Sequence, residues 1–195
     1  IKNSNYFLGL ISQIFHVGCL IMCWTFIYQY AEVIGIDSVA AGNYQLTAFV
    51  LFVIGRALGT YLLRFISAGK QLFYYSLLGI IFLFGVVFIQ GIYGLYCLVA
   101  VSFCLSVKFP TIYGIALGDL SEQEAKIGSA GLIMAIVGGA TLPKLQAKLI
   151  DLGGSGVSDT LVLGVSETNF SFIIPLLCFT FIAWFGFHVY KKQNC

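Results

Sequence analysis

The sequence predicts an all-α membrane protein whose six transmembrane helices form two inverted three-helix repeats. Three observations predict it: a composition that needs lipid as solvent, six apolar runs of spanning length, and two short motifs that recur at nearly one offset. Of 195 residues, 59% are hydrophobic and 9% charged, against about 25% charged in an ordinary soluble domain. The mean hydropathy is +0.97. A net charge of +2 is too small to point to a nucleic-acid partner. No cleavable signal peptide is expected, because the first apolar run is long enough to span and no small-residue cleavage site follows it. A chain starting at Ile1 is expected to be a fragment or a processed piece.

The spans are read at about 6–30, 44–64, 71–90, 93–118, 128–150 and 170–190, together one six-helix bundle. About 20 residues of helix cross the hydrocarbon, and none of the runs alternates as barrel strands do. Breaks are expected at 32–43, 65–70, near Gly91, at 119–127 and at 151–169. With both termini on one side, that side collects Lys2, Arg64, Lys70, Lys126, Lys191 and Lys192, and the other only Lys144 and Lys148. Basic loops stay inside, so both ends are expected in the cytoplasm.

Val53-Ile54-Gly55-Arg56-Ala57 resembles Ile136-Val137-Gly138-Gly139-Ala140, an offset of 83 (138 − 55). Thr25-Phe26-Ile27-Tyr28 resembles Thr111-Ile112-Tyr113, an offset of 85 (113 − 28). A duplicated unit with an odd number of spans inserts upside down the second time, the construction of secondary transporters.

The fourth run centres on Lys108-Phe109-Pro110-Thr111. Lys108 lies ten residues before Gly118, on the order of 15 Å of helix from that end. A charge at that depth faces a bundle interior, a cavity or a partner charge, and Pro110 invites a kink. Lys108 is expected to line a water-accessible cavity and pair with a carboxylate across it; a purely structural pairing is the alternative. On the first run, Gln13, His16, Trp24 and Tyr28 fall within an arc of roughly 120°. Such a stripe is costly against lipid, and aromatic rings with polar rims suit sugars. A helix–helix seam explains the same stripe. Arg56, bracketed by Gly55 and Gly59, holds either a substrate or a carboxylate, or else an ion pair that only fixes geometry.

Cys19 and Cys23, one turn apart, read as small packing residues, and no metal ligand set is spaced along the chain. No cofactor motif occurs, and catalytic triads, phosphate-binding glycine loops and HExxH are absent. Asn169-Phe170-Ser171 matches a glycosylation sequon beside the membrane. A self-assembling channel would want a filter motif, and an intramembrane enzyme a second acid behind Ser12 and His16; neither is found, so no enzymatic activity is expected.

These residues resemble the C-terminal half of a major facilitator superfamily transporter of the L-fucose:proton symporter family. The resemblance rests on Cys23-Trp24, Tyr30-Ala31, Asn43-Tyr44, Gly55-Arg56, Gly59-Thr60, Arg64-Phe65 with Lys70, Phe109-Pro110-Thr111-Ile112, Gly128-Ser129 and Met134-Ala135-Ile136-Val137-Gly138-Gly139. It implies one half of a twelve-helix permease of the bacterial inner membrane. Sugar uptake would be coupled to protons by alternating access, with an N-terminal six-helix half as partner in the bilayer; a facilitator without proton coupling is the alternative. It also implies that Trp24, Arg56, Lys108 and Phe109 line or adjoin the central cavity. Lys108 and Phe109 stand where a well-known member of the family has glutamine and tyrosine, and the resemblance implies that the principal proton-coupling carboxylates lie in the N-terminal half.

Overall fold

The computed structural model describes residues 3–151, 161–162 and 164–193. α1 runs Ser4–Val33, its start capped by the Asn3 side chain, which accepts the Asn5 N–H at 2.9 Å. Gly35, at φ 78°, turns the chain into α2, Ser38–Leu62. α3 is Ala68–Phe88, and Gly91, also at φ 78°, precedes α4, Ile92–Leu105. α5 is Lys108–Leu117, and α6 is Glu122–Met134. A 3-10 turn, Ala135–Val137, leads into α7, Gly138–Ile150. A hairpin of β1, Leu161–Val162, and β2, Val165–Ser166, precedes a short α8, Glu167–Ser171, and the long α9, Ile173–Gln193. Among the described residues, six helical stretches are long and apolar enough to cross a membrane: α1, α2, α3, α4 with α5, α6 with α7, and α8 with α9.

The helices outrun the apolar windows. The expected break 32–43 shrinks to 34–37, because Asp37 takes the extended conformation of a cap while Asn43 and Gln45 lie inside α2. The expected break 119–127 shrinks to 118–121. There the Ser121 hydroxyl and the Glu124 carboxylate cap each other's backbone and start α6 six residues before the apolar run. Of the expected break 151–169, residues 152–160 and 163 lie outside the described residues. The sequon also reads differently in three dimensions. Asn169 is buried and its Nδ2 donates to the Tyr30 hydroxyl at 3.0 Å and the Val86 carbonyl at 2.7 Å, so it is a structural amide.

The fourth span is two helices rather than one. Proline cannot donate to the carbonyl four residues back and crowds it; for Pro110 that carbonyl is on Ser106, and α4 stops at Leu105. Ser106 Oγ donates to the Phe103 carbonyl at 2.7 Å and Thr111 Oγ1 to the Val107 carbonyl at 2.7 Å across the break. The glycine repeat finds its purpose here. A Cβ on Gly55 would stand 2.6 Å from Ser106 Oγ and 2.8 Å from the Phe103 carbonyl, so the second span presses on the backbone of the fourth. A Cβ on Gly138 would overlap the Ile14 carbonyl, so the fifth span presses on the first. Each repeat's middle helix thus packs against the first helix of the other repeat, as inverted repeats require. The third helices pack on each other: Gly79 faces Phe179, and Gly186 faces the backbone of Phe73.

The core runs between α1, α3, α4 and α9, with Met22, Ile27, Leu83, Leu95, Leu98 and Phe179 enclosed. The second and fifth spans are the least covered, with 22% of their residues buried against 44–61% for the other four.

Candidate functional site

The predicted stripe on α1 is divided between two environments. Gln13 and His16 are enclosed, Trp24 is half-buried and Tyr28 is exposed. The residues do share a face, but its two ends meet different neighbours. His16 lies edge-on to Phe109 of α5 at 6.3 Å, whereas the Tyr28 hydroxyl reaches Gly42 at the open start of α2. Trp24 sits between these ends. Its indole N–H donates to Ser102 of α4 at 3.2 Å, and its ring meets Phe49 and Phe52 of α2 edge-to-face at 4.7 and 5.2 Å. The hydrogen bond holds the ring upright, leaving π surface as what it can offer a ligand.

Arg56 follows Phe49 and Phe52 on α2, seven and four residues on, and is exposed. Among the described residues it makes no ion pair. It lies six residues before the end of α2, where its long stem can carry the guanidinium toward water or into a polar cavity. On α5, Phe109 is half-buried and stacks on Tyr113 at 6.4 Å and 13°, and Pro110 beside it is exposed. Tyr28 and Arg56 are thus exposed, and Trp24 and Phe109 half-buried, on the first, second and fourth spans.

Lys108 is placed otherwise than expected. It is 1% exposed, and its ammonium lies 3.1 Å from the ring centroid of Phe179 on α9, inside its own six helices. Its Nζ has no hydrogen-bond partner among the described residues, and the same holds for His16 Nδ1 and both amide atoms of Gln13. Within this half, Lys108 makes a cation–π contact in the enclosed interior. The reason is helical phase: Lys108, Thr111 and Ile112 share the buried side of α5, and Phe109 and Pro110 the outer side. Sequence reasoning missed Phe49, Phe52, Ser102 and Phe179. The first two carry a signal, since their spacing to Arg56 marks one helix face; Phe179 is one of 18 phenylalanines and carries none.

No protein-family model matches the chain. It is 44% identical over 190 residues to an L-fucose-proton symporter of Haemophilus influenzae, covering 97% of this chain and 42% of that protein. It is 30% identical over 188 residues to an L-fucose-proton symporter of Escherichia coli, covering 95% and 40%. It is 28% identical over 194 residues to a putative glucose/galactose transporter of Helicobacter pylori, covering 99% and 46%. Among solved structures it resembles the major facilitator superfamily transporter FucP in the outward conformation, with a TM-score of 0.84 and 27% identity over 95% of this chain and 42% of that one. The chain spans less than half the length of these relatives, which are transporters and not enzymes. By sequence and by fold it is similar to one six-helix half of the L-fucose–proton symporters of the major facilitator superfamily.

Proposed function

We propose that this chain is the C-terminal half of a proton-coupled permease for L-fucose or a related hexose, working by alternating access in a bacterial inner membrane with both of its ends cytoplasmic. Its partners are the N-terminal six-helix half, the sugar, protons and the bilayer. The observation that carries the reading is the exposed Arg56, without an ion pair among the described residues and one turn along α2 from Phe52, whose ring meets Trp24. A cation there suits a polar cavity, and an aromatic face near it suits the C–H side of a sugar ring. Trp24, Tyr28, Arg56 and Phe109 form this half's wall of the cavity. Gln13, His16 and Lys108 support the wall from behind. The described acids lie at helix ends, with Asp119, Glu122 and Glu124 at one end, so proton carriage falls to carboxylates of the other half.

The test is counterflow of labelled L-fucose and galactose by the intact protein in vesicles at two pH values. Sugar exchange accelerated by an inward proton gradient supports the reading. Exchange indifferent to the gradient reduces it to facilitated diffusion, and no exchange of either sugar removes it.

A further inference from the structure

α3 and α9 pack along each other and together build a second surface. Gly69 abuts α9 so closely that a Cβ there would stand 2.7 Å from the Tyr190 nitrogen. Lys70 and Lys191 therefore leave adjoining points of the two helices. Neither forms an ion pair among the described residues, whereas neighbouring Lys192 is taken by Asp119 at 3.3 Å. From these lysines an aromatic terrace descends along both helices. Phe187 packs on Phe73 at 5.5 Å, Phe73 on Tyr74 at 5.5 Å, and Trp184 stacks on His188 at 5.9 Å and 25°. Tyr74, Phe187 and Trp184 are each about half exposed. Beyond the terrace the surface is aliphatic, with Leu77, Ile81 and Leu177 outward.

We propose that this surface is a binding site for an anionic phospholipid, its headgroup held between Lys70 and Lys191 and its chains laid along the α3–α9 seam. The order of chemistry along the helices, two free ammonium groups, amphipathic rings, then aliphatic surface, matches the order of chemistry along such a lipid. The pair also presents a rigid face, because glycines on both helices let them meet backbone to backbone. The proposal does not depend on what the cavity transports.

Trp184 supplies the probe. The intact protein is placed in nanodiscs carrying brominated phosphatidylglycerol or brominated phosphatidylcholine at equal mole fraction, and the Trp184→Phe protein serves as blank. Quenching of Trp184 should favour the anionic lipid. Lys70→Gln and Lys191→Gln should each lower that preference about fivefold, corresponding to about 1 kcal/mol for a lysine near the surface. Lys126→Gln, on α6, should leave it unchanged. Equal quenching by the two lipids overturns the proposal, and so does an equal loss in Lys126→Gln, which would mean diffuse attraction to the charged membrane. Should a lysine variant fail to insert, the unmodified protein still decides: added salt should erase the preference, and a preference indifferent to salt overturns the site.

Discussion

Lys108 shows at the scale of one residue how a membrane interior treats a charge. Removing an ammonium from water costs several kcal/mol, and a ring face returns about 2 kcal/mol when the pair is desolvated. The Phe179 contact therefore offsets only part of the cost. Lys108→Met, which keeps the stem and drops the charge, should leave thermal stability in detergent unchanged or raise it by about 1–4 kcal/mol. Phe179→Leu should destabilise more in the Lys108 protein than in the Lys108→Met protein, by about 1–2 kcal/mol of coupling. Additive losses would show that the ring serves only as packing. On the open side, Trp24→Ala in the intact protein should weaken sugar affinity several-fold to about tenfold, since a stacked ring gives about 0.5–1.5 kcal/mol beyond its area. Trp24→Phe should keep part of that affinity; unchanged binding by folded Trp24→Ala would leave the indole a seam between α1, α2 and α4. Hydropathy and helical phase made the polar residues of α1 and α5 conspicuous in the sequence. The direction each one faces was not legible, because it depends on distant neighbours: Phe179 is 71 residues from Lys108 (179 − 108), Ser102 78 from Trp24 (102 − 24) and Phe109 93 from His16 (109 − 16).

Among the elements, the helices themselves were legible and their ends were not. A hydropathy window reports contact with lipid, whereas a helix starts where its backbone finds a cap, as at Ser121. The break in the fourth span was visible beforehand as Pro110, and the repeat as the pair Gly55 and Gly138. That pair also separates two kinds of glycine. A methyl on Gly138 meets the Ile14 carbonyl, which is backbone and cannot yield, while one on Gly139 would lie 3.0 Å from the Ile21 side chain and 3.2 Å from that of Val17, which can. Gly138→Ala should therefore cost about 2–4 kcal/mol by forced separation of α1 and α7. Gly139→Ala should be near neutral, since a helix gains about 1 kcal/mol when glycine becomes alanine. Thermal unfolding of both variants in one detergent checks the order; equal losses would contradict the close approach at Gly138.

On the scale of the whole molecule, one end is drawn together by a polar clasp. Asn5 Nδ2 donates to Asp119 Oδ2 at 2.6 Å and Lys192 Nζ to the same oxygen at 3.3 Å, joining the start of α1, the end of α5 and the end of α9. The Asn5 hydrogen bond, then Lys192, hold the Asp119 carboxyl below its usual range. A depressed carboxylate contributes fully above its unfolded pKa, about 3.9, and the contribution fades as pH falls through the lower folded value. Spin labels at Ser4 and Gln193 should keep one distance from pH 7 to about 4 and separate or broaden only at lower pH, whereas Asp119→Asn should show the wider distribution already at pH 7. A distribution at pH 7 that Asp119→Asn leaves unchanged would show that apolar packing alone holds this end. No sequence pattern marked the clasp, since its three members lie far apart in the chain, near the start of α1, just after α5 and near the end of α9. The interlocking of the repeats has a consequence for synthesis. Ile14 and the glycine that covers it are 124 residues apart (138 − 14), on the order of ten seconds at about 5–20 residues per second on the ribosome. For that interval the first span waits in the membrane with its receiving groove bare. Its early companion is therefore the insertion machinery or lipid, and a nascent chain arrested after the third span holds no finished repeat.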